Sequence, residues 1–164
     1  MLDLVEPFHH ALRWVHIACG AIGLVLFWVP ILAPKGGPLH RRAGRWFVRL
    51  AWVVGLTGLA SSLWALASPE TFMPQVYSQR SELGRQYLVE GTTFFFSLLA
   101  FLSMAMLTGL VLGVAAVRLR HRHEELRSTW VLGWQVALGL TAAAVLTLGL
   151  RQLTLGWQGA WPLP

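Results

Sequence analysis

One histidine lies inside an apolar segment of this sequence, where an ionisable side chain is by default a candidate for function. His16 stands just after Trp14, and Gly20 and Gly23 follow on the same face of a helix, at spacings of four and three. Two glycines beside it let a flat or bulky group approach the backbone. The pattern is typical of a b-type haem or a quinone headgroup at His16. It is also typical of a neutral imidazole that hydrogen-bonds to a neighbouring helix.

The other histidines decide whether the chain could hold a haem iron, because a bis-histidine site needs both ligands at one depth on facing helices. His9 and His10 lead into the same helix as His16, and the third and fourth apolar segments contain no histidine. His121 and His123 lie in a run of arginines and histidines that is typical of a solvated cluster at lipid headgroups, and a His-x-His pair alone is weak evidence for a metal. We therefore expect no metal and no bound cofactor, with b-type haem or quinone near His16 as the alternative.

Few other polar groups fall near the apolar segments. Glu90 opens the third segment and Arg151 closes the fourth, both near the depth of His16. The three would form a small polar pocket if they converged, and a structural ion pair is the simpler interpretation. The sequence contains no GxSxG, Walker, HExxH or CxxC motif. No acidic residue lies in the interior of the apolar segments, which argues against a transporter coupled to protons or cations.

Four long apolar segments must position these residues. They cover residues 12–33, 47–67, 92–117 and 130–150, and about 20 helical residues span the ~30 Å hydrocarbon core of a bilayer. The 164-residue chain is 55% hydrophobic and 12% charged, against roughly 25% charged residues in an average soluble domain. We predict an all-α membrane protein with a single domain over residues 1–164 and four transmembrane helices in an antiparallel bundle.

The positive charges are divided unequally between the two ends of this bundle. Nine of the 13 Lys and Arg residues lie in or beside the first and third connections, and four lie at the other end. Short basic loops stay in the cytoplasm, so we predict that both termini are extracytoplasmic, in a multi-pass protein of the bacterial inner membrane. The partners of the basic residues are then anionic lipid headgroups and not nucleic acid. The residues expected to contact headgroups are Arg41, Arg42, Arg45 and Arg49.

The second connection, residues 68–91, is the only long one. Loops beyond about 12–15 residues are usually functional or disordered, and the lack of proline between Gln75 and Leu88 allows part of it to form an interfacial helix. The nine tryptophans fall near the ends of the apolar segments, which is typical of anchoring at the two membrane interfaces.

Small residues on the apolar segments predict how the helices pack, because helices in lipid associate through close contact at such residues. Each of the first three segments carries a pair of glycines at helical spacing, and the third pair forms a GxxxG motif. The glycines predicted to lie in helix–helix contacts are Gly20, Gly23, Gly55, Gly58, Gly109 and Gly113.

Two sequence patterns resemble a known group of proteins. The first helix reads WVHIACG at 14–20, and a short loop leads to PLHRRAGRW at 38–46. This resembles a family of small predicted bacterial membrane proteins of unknown function, in which a membrane histidine precedes a glycine-bearing helix and a His-Arg-basic-x-Gly-Arg motif. The resemblance covers residues 12–60, about a third of the chain. It implies that His16 and His40 are site residues, as candidates for cofactor binding, and it assigns neither a role.

Two classes of function remain open from the sequence. The first is a non-catalytic accessory subunit that packs against other proteins of a larger membrane complex, such as a respiratory or photosynthetic one. It is favoured by the many small-residue faces and the shortage of polar groups within the membrane. The alternative is a small redox protein that binds b-type haem or quinone near His16. A transporter or channel module is a third class, which the lack of buried charge disfavours.

Overall fold

The computed structural model describes residues 5–79, 81–119, 121 and 128–158. Four helices in the described part are long and apolar enough to cross a membrane, and no strand is present there. The all-α fold with four transmembrane helices is therefore confirmed. The helices are α1 (Val5–Leu32), α2 (Pro38–Ala67), α3 (Pro69–Phe72), α4 (Pro74–Ser78), α5 (Glu82–Arg118) and α6 (Thr129–Gln158), of which α3 and α4 are short.

The long helices extend beyond the apolar segments that predict them. The 30 residues of α2 would measure roughly 45 Å, which matches a bilayer with its headgroup layers and not the hydrocarbon core alone. Polar side chains such as Arg41 can therefore belong to a membrane helix and still lie among headgroups. For the same reason His16, about one turn inside the apolar segment 12–33, is about three turns inside α1, because the helix begins at Val5 and not at the first apolar residue.

The four long helices pack chiefly in chain order, α1 on α2, α2 on α5 and α5 on α6. The middle helices are the more buried: 22% of the apolar span of α2 and 28% of that of α5 are buried, against 6% for α1 and for α6. The core residues of α2 are small, among them Ala51 and Ser62, and they let α5 approach closely. The largest side chain with no exposure is Leu107 of α5, which lies against Gly55.

The turn between α1 and α2 fixes the angle of these two helices. Gly36 has a φ of 78°, a left-handed conformation that favours glycine, and Pro38 begins α2. Pro34 has no N–H group, so it cannot bond to the Pro30 carbonyl four residues earlier. His40 satisfies that carbonyl instead, because its Nδ1–H donates to the Pro30 oxygen at 3.0 Å. His40 thus ties the first turn of α2 to the last turn of α1.

The long connection is folded onto the helices. Trp64 donates from Nε1 to Thr71 Oγ1 at 3.0 Å, and the Thr71 hydroxyl donates to the Ser68 carbonyl at 3.0 Å. These bonds hold α3 against the end of α2 and bury Phe72, which is 9% exposed. The polar stretch after Ser81 belongs to α5 rather than to a separate interfacial helix, since the Ser81 hydroxyl accepts from the Gly84 N–H and starts the membrane helix there.

Candidate functional site

A cavity of about 470 Å³ lies between α1, α2 and α5, near the end of the bundle where α1 begins. We call it the His16 cavity. Its wall is mostly apolar, with a few polar groups, as is common in sites for small ligands. The lining includes His9, Arg13, His16, Ser61, Phe72, Phe96, Ser103 and Met106.

The His16 imidazole is held by a threonine on the neighbouring helix. His16 Nδ1 lies 2.9 Å from Thr57 Oγ1. The Thr57 hydroxyl has one proton, and it donates that proton within its own helix, with the Val53 carbonyl at 2.7 Å and the Val54 carbonyl at 3.1 Å. The Val53 carbonyl is the nearer acceptor, so we infer that the Thr57 proton is shared within its own helix and that Thr57 Oγ1 accepts from His16. In a neutral imidazole Nδ1 then carries the proton and Nε2 keeps its lone pair.

Several polar atoms at the cavity have no hydrogen bond in the described part of the chain. Among them are His16 Nε2 and the hydroxyls of Ser61 and Ser103. Ser62 differs, because its hydroxyl donates to the Gly58 carbonyl at 2.8 Å. Gly58 brings His16 and Ser103 together: a Cβ built there would lie 2.7 Å from Ser103 Oγ and 3.3 Å from His16 Cε1. The imidazole ring and a hydroxyl therefore flank the same point on α2.

Phe72 forms an aromatic wall of the cavity. Its ring stacks on His9 with centroids 4.4 Å apart and meets Phe96 edge-on at 5.1 Å. It also meets Trp64 edge-on at 5.6 Å, and the His9 ring is hydrogen-bonded to the Phe72 backbone. The connection between α2 and α5 therefore supplies one side of the site. Only the two flanking prolines, Pro69 and Pro74, hinted in the sequence that this segment folds back as short helices.

His16, Glu90 and Arg151 do not converge on a polar pocket, and Glu90 and Arg151 do not form the ion pair that the sequence favoured. Glu90 and Arg151 are both exposed, and neither lines the His16 cavity. The only ion pair within the described residues joins Arg85 and Glu82 at 3.8 Å. The partner of His16 is Thr57, which sequence reasoning missed, because a threonine in a membrane segment is common and carries no signal by itself.

Four of the six glycines predicted to pack lie in helix interfaces. Added Cβ atoms at Gly20 and Gly23 would each have an α2 side chain at 3.9 Å, and one at Gly55 would lie 2.5 Å from Leu107. Gly109 and Gly113 are placed differently, because a Cβ built on either meets no atom within 4 Å. The GxxxG motif of α5 thus lies outside the close contacts within this chain.

Those two glycines line a second and larger cavity, of about 840 Å³, between the first half of α2 and the last half of α5. We call it the arginine groove. Arg41, Arg45 and Arg49 line it along one face of α2, at spacings of four, and Arg118 lines it from α5. Arg42 is exposed and is not part of the lining. His40 is also at this groove through its side chain, in addition to its bond to Pro30.

The two histidines that line the His16 cavity are not placed as a facing pair of haem ligands. Two axial ligands must approach an iron from opposite faces of the haem, whereas His9 and His16 lie two turns apart on one helix. Within the described residues no group of three potential metal ligands comes together. His123 and the arginines at 120, 122 and 127 lie outside the described residues.

No protein-family model, curated protein or solved structure matches the chain. The resemblance carried by WVHIACG and PLHRRAGRW stays a prediction, and the function must be argued from the two cavities.

Proposed function

We propose that the protein binds the ring of a lipid-soluble quinol in the His16 cavity. The observation that supports this most is the contact between His16 Nδ1 and Thr57 at the wall of the cavity. With Nδ1 as the donor, a neutral imidazole keeps Nε2 as an acceptor for the ligand. An acceptor nitrogen in an apolar wall lowers the free energy of a bound O–H group, because each would otherwise lack a partner. A quinol carries two such groups on a flat ring.

The other walls suit the rest of such a molecule. The Ser103 hydroxyl lies beside His16 and can donate to the same ring oxygen that donates to the imidazole, and Phe96 and Phe72 can pack on the ring. Met106 lines the His16 cavity, the arginine groove and a third cavity of about 310 Å³ beside Gly20 and Gly23. The three cavities adjoin at Met106, so an apolar tail can extend past this flexible side chain along α2 towards the middle of the membrane.

With Nε2 as an acceptor, the proposed site should bind the reduced form of the ligand more tightly than the oxidised form. A quinol donates from its O–H groups and satisfies His16 Nε2, whereas a quinone presents only acceptor oxygens to that nitrogen. We expect the reduced form to bind roughly fivefold more tightly than the oxidised form, which corresponds to one net hydrogen bond. Titration of the purified protein with a short-tailed benzoquinol, kept anaerobic, and with the matching quinone measures the ratio. Equal binding of the two forms would contradict it.

One substitution separates the roles of the two nitrogens of His16. The amide nitrogen of asparagine stands where Nδ1 does, so His16→Asn keeps the bond to Thr57 and removes the group at Nε2. Quinol affinity should fall roughly tenfold while the fold is kept. His10→Asn is the matched control, because His10 is on the same helix and does not line the cavity. Equal effects of the two changes would show that the loss does not come from Nε2.

We further propose the orientation predicted from the charges. The turn at 34–37 then lies in the cytoplasm of a bacterial cell, and the start of α1 and the end of α6 lie outside. The support is the division of basic residues and the positive-inside rule. On a Cys19→Ala background, a cysteine at Gly37 should react with an impermeant maleimide only after cell lysis. Reaction in intact cells would reverse the topology.

A role as an accessory subunit of a larger membrane complex stays the second candidate function. It is favoured by α6, where only 6% of the span is buried and where Gly133 and Gly139 have no atom within 4 Å of an added Cβ. Such open small-residue sites allow another helix to approach closely. Gly139→Leu should then reduce recovery of the protein in a high-mass complex from native membranes, with Leu140→Ala on the same helix as control. Migration of the wild-type chain alone would contradict this role.

A further inference from the structure

The arginine groove has an apolar floor and a cationic rim. Gly44 of α2 and Gly109 and Gly113 of α5 face it, and a Cβ built on any of them meets no atom within 4 Å. The groove exists because glycine stands at these positions on both helices and no side chain fills the space between them. Its volume, about 840 Å³, lies within the ~300–1,000 Å³ that is usual for ligand sites.

The rim cations have no anionic partner in the part of the chain that the structure describes. Arg41, Arg45 and Arg49 repeat every four residues and so share one face of α2, and none of them forms an ion pair within the described residues. Arg49 lies over the Trp46 ring at 4.9 Å, which holds its guanidinium at the side of the groove. The three arginines of α2 and Arg118 of α5 thus line the part of the groove where α2 passes from headgroups into hydrocarbon.

We propose that this groove binds one anionic phospholipid, with its phosphate at Arg45, Arg49 and Arg118 and an acyl chain along Gly109 and Gly113. The charged and apolar parts of the groove follow each other as the headgroup and acyl chain of a phospholipid do. Guanidinium groups pair with phosphate oxygens, and the apolar floor lies towards the membrane interior. Basic sites between membrane helices bind lipids in this way. A second copy of this chain fits less well, because it would bring the same arginines into the groove.

The headgroup part of the site is tested with arginine variants. The purified protein is delipidated and titrated, by native mass spectrometry, with phosphatidylglycerol and with phosphatidylcholine. The wild type should prefer phosphatidylglycerol, and Arg45→Gln and Arg49→Gln should each weaken its binding about fivefold. Arg42→Gln is the matched control, because Arg42 is exposed next to the same turn and does not line the groove. Equal losses in all three variants would overturn the proposal in favour of general attraction to anionic surfaces.

The acyl-chain part is tested by filling the floor. The double change Gly109→Leu and Gly113→Leu should abolish the tight binding of phosphatidylglycerol, whereas Gly133→Leu with Gly139→Leu, at open positions on α6, should leave it unchanged. Inorganic phosphate at millimolar concentration should not compete with the lipid, because it lacks the chain. Lipid binding that survives the filled floor, or that phosphate displaces, would overturn the proposal. Conversion of a wild-type dimer to a monomer by the filled floor, without loss of lipid, would assign the groove to a second copy.

Discussion

The His16 cavity and the arginine groove lie along the same two helices and share Met106, yet they are built on different principles. In the His16 cavity Thr57 holds the imidazole in one orientation, and Phe72 closes one side. In the arginine groove the charges stand on long flexible side chains without ion pairs among the described residues. The first arrangement suits a ligand of one shape, and the second suits a ligand recognised by its charge.

The glycines of the two regions differ in the same sense. At Gly55, Leu107 occupies the volume that a side chain would need, and at Gly58 this volume is occupied by Ser103 and His16. Gly109 and Gly113 are open. A pair of glycines on a membrane helix therefore indicates close approach at one site and a ligand surface at the other, and the spacing alone does not distinguish them.

Filling the close contact should have the largest effect on the fold. Gly55→Leu places a side chain against Leu107, which has no exposed surface, so α2 and α5 must separate. We expect a loss of about 1–3 kcal/mol in the free energy of unfolding, measured by thermal or denaturant unfolding in detergent. Gly139→Leu on α6 is the control and should change it by less than about 0.5 kcal/mol. Equal tolerance would mean that the α2–α5 interface is not formed as described.

Removal of the His40 imidazole should have an intermediate effect. His40→Ala leaves the Pro30 carbonyl without a donor, because Pro34 cannot supply one. An unsatisfied carbonyl costs about 1–3 kcal/mol when buried, and this one is partly buried, so we expect about 1 kcal/mol in the same unfolding measurement. Arg42→Ala, two residues away on the exposed face, is the control. If the variant were as stable as the wild type, the bond from His40 to Pro30 would not stabilise the turn.

Loss of the Thr57 hydroxyl should change binding more than stability. Hydrogen bonds between membrane helices average about 0.6 kcal/mol, so Thr57→Val should unfold nearly as the wild type does. The imidazole is then free to exchange tautomers, and the preference for quinol over quinone should largely disappear. Thr141→Val is the control, because Thr141 donates to its own helix in the same way on α6, with the Ala137 carbonyl at 3.2 Å. A preference that survives Thr57→Val would show that Thr57 does not set the tautomer.

The membrane fold was predictable because lipid requires long helices of apolar residues, and four such segments are plain in the sequence. His16 could also be predicted as a candidate functional residue, since ionisable residues within membrane segments are rare. Its partner was not, because the pairing of His16 with Thr57 depends on the register that the turn at Gly36 imposes on α1 and α2. Phe72 escaped prediction for a similar reason: its role follows from the fold of the connection and not from its own neighbours in sequence.

The protonation of His16 tests the proposed site most directly. Nitrogen-15 NMR of the protein labelled at histidine reports which ring nitrogen carries the proton, and His16→Asn assigns the signal. We expect His16 to be protonated at Nδ1, with an unprotonated Nε2 whose resonance shifts when a short-tailed quinol is added while Nδ1 stays nearly constant. Protonation at Nε2 in the free protein, or a quinol that leaves the Nε2 resonance unmoved, would contradict the proposal.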